Sequence, residues 1–181
     1  MIPLSSSSPI SGAVSSGLSW SKIPRSRDYE LKRNGETVGA LRRSGWFATG
    51  FLAETQEGRW TFRRGGCFSG GAEILDSASQ RRIATFKSSW GTGGGTLTFA
   101  DGQNFQLRVA GWWRPVWSVL AESGETLLRL HARGKTVELP PSTQSPASIP
   151  TTRLSLLSMF TFYRVLQAEE DAALAVMVAA S

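Results

Sequence analysis

The sequence predicts a mainly β fold with one C-terminal helix: an antiparallel β-barrel of about eleven to twelve strands enclosing a central apolar α-helix. Three observations carry this reading. Residues 28–139 break into short runs that alternate apolar and polar side chains or concentrate aromatic and β-branched ones, each closed by turn residues. A Pro/Ser segment at 140–150 then ends the alternation. Residues 151–180 make a helical segment with no consistently polar side, which has to be surrounded by lipid or by protein.

In chain order, residues 1–27 contain ten Ser and the bases Lys22, Arg25 and Arg27 without an acid. They read as a disordered Ser-rich extension, with an organellar transit segment as the minor alternative, because no apolar block of a secretory signal is present. Strands are expected at 29–33, 37–42, 46–53, 59–63, 72–75, 81–87, 96–99, 104–109, 116–121, 126–131 and 136–139. Asn34-Gly35, Asp101-Gly102, Ser123-Gly124 and Arg133-Gly134 place a glycine where a tight hairpin needs positive φ, so consecutive strands pair as neighbours. A weak echo of strand, polar turn and strand begins at Leu31, Ile74 and Val119, and three such units are too few to close a propeller. Residues 151–180 form the expected central helix, with Thr151 or Thr152 as N-cap. Its polar positions Ser155, Ser158, Thr161 and Arg164 recur every third residue, so they drift by about 60° per step and never build one wet face. The apolar stretches are too short for lipid, which leaves a curled sheet as the surround. The barrel unit is thus expected over 28–180.

Composition bounds the chemistry. A chain of 181 residues with 40% hydrophobic residues holds one core, and a single Cys and a single His leave no disulfide framework or His/Cys zinc cluster. The expectation is a noncatalytic protein without a cofactor. Lys and Arg number 20 against 14 acids; residues 151–181 hold two and three of these, which leaves 18 and 11, or +7, on residues 1–150. Arg164 and the Glu169-Glu170-Asp171 cluster interrupt the one candidate apolar span, so a soluble, cytoplasmic chain, peripheral to membranes if it meets them, is expected.

The basic residues that stand out are three doublets, Arg42-Arg43, Arg63-Arg64 and Arg81-Arg82, with Lys87, Arg108, Arg114 and Arg129, and the candidate headgroup ligands among them are the doublets, Lys87 and Arg114. Neighbours on a strand face opposite sides, so a doublet belongs near a strand end, where guanidinium groups can hold phosphate bidentately or simply protect a solvated rim. Trp112 in the run Trp112-Trp113-Arg114-Pro115-Val116-Trp117 is a candidate membrane-interface residue, while alternation puts Trp113 and Trp117 on one packed face unless Pro115 shifts the register. The Gly91–Gly95 stretch lacks the Lys and the helix of a phosphate loop, and Cys67 has no activating partner nearby in sequence. His131 reads as an exposed strand residue, and Asp76, Asp101 and Glu122 fall in turns.

The order of strands and helix, with Trp60-Thr-Phe62, Ile74-Leu75-Asp76, Ile83-Ala84-Thr85-Phe86, Leu97-Thr-Phe99-Ala-Asp101-Gly102, Phe105-Gln-Leu107 and Trp117, resembles the tubby C-terminal-like superfamily over residues 28–180. That superfamily includes tubby proteins, phospholipid scramblases and LURP-one-related proteins. The resemblance implies a barrel threaded by its C-terminal helix and binding to phosphoinositides or membrane lipids. The acidic calcium segment and the cysteine-rich tract of scramblases have no counterpart here, and no headgroup residue is carried over by position. The expected function is a binding module that contacts anionic phospholipid headgroups, or another phosphate-bearing partner, through a basic rim. The alternative is a structural or protein-interaction barrel without a ligand. A calycin-type barrel with an open lumen is the third reading, and nucleic acid is disfavoured because the aromatics form no stacking motif.

Overall fold

A computed structural model describes residues 17–44, 50–65, 71–89, 93–140 and 149–179. Twelve strands close into a single antiparallel barrel: β1 (Leu18–Lys22), β2 (Tyr29–Arg33), β3 (Glu36–Arg43), β4 (Gly50–Thr55), β5 (Arg59–Arg64), β6 (Ala72–Asp76), β7 (Arg82–Ser88), β8 (Gly95–Phe99), β9 (Asn104–Ala110), β10 (Val116–Ala121), β11 (Thr126–His131) and β12 (Thr136–Glu138). Each strand pairs with its neighbours in the chain, and β1 closes the ring against β12. The helix α1 (Thr151–Ala179) runs through the lumen. The expected fold class is therefore the observed one.

Strand β1 corrects the expectation that residues 1–27 are all disordered extension. Leu18 and Trp20 face the core and are buried, whereas Ser19 and Ser21 alternate outward. Two of the serines that suggest an unstructured tail, Ser19 and Ser21, occupy the solvent side of a strand. Leu18 and Ser19 pair with Val137 and Thr136, and the Trp20 amide donates to the Lys135 carbonyl at 2.7 Å. Without β1, β2 and β12 would face each other across an open edge.

The wall is built by alternation. Leu31, Leu41, Phe51, Ala53, Trp60, Phe62, Ile74, Ala84, Phe86, Leu97, Phe105, Leu107, Trp117, Val119, Leu128, Leu130 and Val137 are buried. Of the expected hairpin turns, Asn34-Gly35 has both residues at positive φ, 51° and 88°, as a type I′ reversal requires. At Arg133-Gly134 the positive φ falls instead on Lys135. The strand expected at 46–53 is observed as β4, beginning at Gly50; residues 45–49 lie outside the described set.

Residues Leu154 to Gln167 of α1 are buried without interruption, whatever side of the helix they occupy. Trp20 stacks on Phe162 with centroids 4.1 Å apart, Phe62 and Phe86 pack against Phe160, and Phe51 meets Tyr163 edge-on. Two of the polar side chains are satisfied within the helix: Ser158 Oγ donates to the Leu154 carbonyl at 3.0 Å and Thr161 Oγ1 to the Leu157 carbonyl at 2.7 Å. The helix starts at Thr151, and the Pro150 carbonyl accepts from the Arg153 amide at 2.9 Å and the Leu154 amide at 3.1 Å. A filled lumen removes the calycin-type reading. The barrel encloses only part of the helix expected at 151–180: from Ala168 onward it is exposed, twelve residues or about 18 Å at 1.5 Å per residue, of which Glu170 and Asp171 still meet the barrel mouth.

Gly39 of β3 makes room for the helix. A Cβ there would run into Met159 Cε, with the Glu54 carbonyl and Thr55 Cγ2 each at 3.3 Å, and Met159 is itself fully buried. Gly39→Val should destabilise the protein by about 1–3 kcal/mol in urea unfolding, through overpacking. Ser155 is the opposite case, because its buried Oγ finds no hydrogen-bond partner among the described residues. Ser155→Ala should leave the unfolding free energy unchanged or raise it by up to about 1 kcal/mol.

Candidate functional site

An up-and-down barrel sends alternate connections to opposite ends. The helix enters at the proximal end, where Arg153 Nη2 donates to Asp101 at 2.8 Å and Nη1 to Gln103. It leaves at the distal end, where Arg43 pairs with Glu170, and Arg64 with Asp171 at 2.7 Å. The connections β1–β2, β3–β4, β5–β6, β7–β8, β9–β10 and β11–β12 all lie distally.

This division sorts the charges. Counting connections and the terminal residue of each strand, the distal end carries eight bases (Lys22, Arg25, Arg27, Arg43, Arg64, Arg114, Arg133, Lys135) and one acid, Asp28. The proximal end carries four bases and seven acids by the same count. Asp28 is engaged inward, accepting from the Arg43 amide at 3.1 Å. The basicity read from composition is thus in part an axial asymmetry: the distal turns and strand ends are basic, Glu169, Glu170 and Asp171 of α1 offset part of that charge, and the other end is acidic.

The eight candidate phosphate ligands are not brought together. Arg81 and Arg82 lie at the proximal end, and Arg82 is paired with Glu73 at 3.0 Å, which removes this doublet from the candidate site. Arg42 and Arg63 take the outward register on the wall, Arg42 near Glu54 at 3.8 Å and Arg63 donating to Gln80 at 3.2 Å. Their neighbours Arg43 and Arg64 share the register of the buried residues Leu41 and Phe62 and meet the helix acids. Lys87 and Arg114 are distal, exposed, and engage no carboxylate among the described residues. Lys22, Arg25, Arg27, Arg133 and Lys135 complete the end and do not stand out in the sequence, since none belongs to a doublet.

Trp112 is exposed as expected, at 90%. Trp113 is corrected: at 70% exposure it does not share the packed face of Trp117, which is buried. Gly111, at φ 80°, turns the chain out of β9 ahead of the pair, and β10 begins only at Val116, so strand alternation never applies to Trp112 and Trp113. Their rings lie 5.3 Å apart, tilted by 60°. The same end also presents the projecting turns of α1, where Leu174, Val176, Met177 and Val178 are 54–78% exposed.

Where the helix leaves the barrel, a cleft of about 310 Å³ is lined by Lys22, Arg27, Tyr29, Arg43, Phe51, Leu166, Glu169 and Glu170. The two carboxylates on the helix offset much of the positive charge of its wall. Burial, with Glu169 and Glu170 adding to it, pushes the Tyr29 hydroxyl up. Just inside, Arg164 Nη1 donates to Gln167 Oε1 at 2.5 Å, and Gln167 Nε2 donates to the Tyr163 hydroxyl at 2.6 Å. Arg164 also lies over the Phe86 ring at 4.6 Å, and burial lowers its pKa. Burial pushes Tyr163 up to about 12. A second cleft, of about 340 Å³, lies at the proximal end between Trp60, Phe99, Arg153 and Leu156, beside the Arg153–Asp101 clamp that holds the Asp101 carboxyl below the usual range.

Among the described residues no helix is long and apolar enough to cross a membrane. Comparison of the chain with family models, curated proteins and solved structures returns no match.

This geometry has two measurable consequences. The Arg64–Asp171 pair is 41% and 58% exposed, so a double-mutant cycle with Arg64→Gln and Asp171→Asn should give a coupling of at most about 1 kcal/mol. Tyr163 ionises later in the folded than in the unfolded chain, so its contribution is whole below pH 10 and is lost as pH rises toward 12. Urea unfolding should weaken by up to ~3 kcal/mol across that window, and Tyr163→Phe should flatten this part of the profile.

Proposed function

We propose that this protein is a noncatalytic, tubby-like barrel that docks its distal end on phosphate-bearing surfaces, anionic lipid headgroups first among them. The observation that carries the reading is the axial segregation of charge: eight bases against one acid on the distal turns and strand ends, and still eight against four once Glu169, Glu170 and Asp171 of α1 are included. An end with a net positive excess attracts anions over a Debye length and orients the barrel before contact. Lys22, Arg25, Lys87, Arg114 and Arg133 engage no carboxylate among the described residues and can face headgroups directly. Each such base near an anionic leaflet contributes about 1 kcal/mol. The exposed tryptophan pair on the same end suits the headgroup layer, where an indole can be half wet. The enclosed helix agrees in outline with the tubby-like resemblance, and membership of that superfamily is part of this proposal.

In a vesicle flotation assay the protein should rise with phosphatidylcholine vesicles doped with phosphatidylserine and stay behind with phosphatidylcholine alone, and added salt should release it. Arg114→Gln and Arg133→Gln should each weaken binding by about fivefold. Equal recovery with neutral and anionic vesicles would sink the proposal in favour of a barrel without a lipid ligand.

A further inference from the structure

The helix does not stop where its buried part ends. Beyond the acids Glu169, Glu170 and Asp171, residues Ala172 to Ala179 are all apolar and all exposed, in a continuous helix. A water-facing helical end would ordinarily carry a polar side, and this one has none. Eight residues give about 12 Å of apolar helix, comparable with the 5–10 Å by which apolar faces enter the headgroup and acyl boundary, and far short of the ~30 Å of a spanning segment.

We infer that the tip of α1 and the Trp112–Trp113 pair form two apolar feet that enter the interfacial layer of an anionic bilayer. This rests on the proposed docking of the distal end and adds to it the part of the contact that charge cannot make. Three features of the distal end support it. Both feet emerge there, amid its eight bases. Two of the three helix acids that would oppose an anionic surface are turned back toward the barrel, Glu170 on Arg43 and Asp171 on Arg64; these pairs brace the projecting helix against the wall, and Glu169 lines the cleft beside Lys22 and Arg27. Charge also selects the occupant. Two copies meeting tip to tip would bring two basic ends together, whereas an anionic leaflet complements the surface that surrounds both feet.

The test uses the full chain with three kinds of vesicle: phosphatidylcholine, phosphatidylcholine doped with phosphatidylserine, and the doped mixture with bromine on its acyl chains. Quenching of tryptophan emission by the brominated chains is expected for the unaltered protein, and most of it should vanish in Trp112→Ser/Trp113→Ser. Leu174→Gln/Val176→Gln changes hydrophobicity without changing charge, and should weaken binding to doped vesicles about tenfold while leaving its salt sensitivity intact. Binding to doped vesicles without quenching would overturn the insertion and leave the charge reading standing. Quenching with equal binding to neutral and doped vesicles would do the reverse. A concentration-dependent dimer dissociated by Leu174→Gln/Val176→Gln would also overturn the insertion, because the tip would then be covered by a second copy. The quenching measurement needs no substitution, so a variant that failed to fold would not protect the inference.

Discussion

The structure depends on one constraint: a helix without a polar side must be enclosed on all sides. In α1 the run from Leu154 to Gln167 meets this by passing through a closed ring of strands, each of which turns alternate side chains onto it. The ring is closed by β1, whose Trp20 supplies the closest stack on the helix. Enclosure also dictates how polar groups survive inside. Ser158 and Thr161 return their hydroxyls to the helix backbone, and the Arg164, Gln167 and Tyr163 chain sits where the helix is about to meet solvent. A guanidinium deeper in the lumen would have lost its hydration without these partners.

Threading a helix through a barrel makes the two ends inequivalent. At the proximal end the chain must enter at a fixed height, and Arg153 does this by clamping to the β8–β9 turn through Asp101 and Gln103. At the distal end Arg43 and Arg64 hold the helix through Glu170 and Asp171, and it continues outward. The surfaces obey the same division: turns rich in carboxylates surround the entering helix, and basic turns surround the leaving one. A net charge of +6 on a barrel with mixed ends would do little more than keep it in solution. A basic excess at the distal end against an acidic proximal end gives the molecule a direction.

Much of the architecture is legible in the sequence because each of its signals is local. Period-two alternation, glycine turns and the Pro/Ser break at 140–150 mark strands and their order, and the drift of Ser155, Ser158, Thr161 and Arg164 around the helix demands enclosure. The features that escape are masked by composition or depend on geometry between distant residues. Strand β1 is hidden because its outward positions are serines inside a Ser-rich stretch, although Leu18 and Trp20 keep the inward period. Trp113 is misplaced when alternation is carried across Gly111–Pro115, where the chain leaves the sheet. The basic end escapes for a different reason. Doublets draw attention to adjacent charges, whereas in an up-and-down barrel every second connection shares an end, and only a count over alternate turns finds the asymmetry.

That distinction bears on which arginines can act at a surface. A doublet at a strand end divides its two members between the outer wall and the lumen side, so at most one can face a given ligand. Here the lumen-side members, Arg43 and Arg64, approach an otherwise apolar helix and need counter-charges, which Glu170 and Asp171 supply from α1 itself. The acidic cluster that interrupts the greasy segment in the sequence is thus the electrostatic complement of the barrel mouth. The outer members, Arg42 and Arg63, are held along the wall near Glu54 and Gln80. The doublets therefore belong to the scaffold. The bases left to meet a partner are single ones at the distal strand ends, Lys22 and Lys87, and on the turns, Arg25, Arg114 and Arg133, and turns are where a rigid barrel can vary charge without disturbing the packing that encloses its helix.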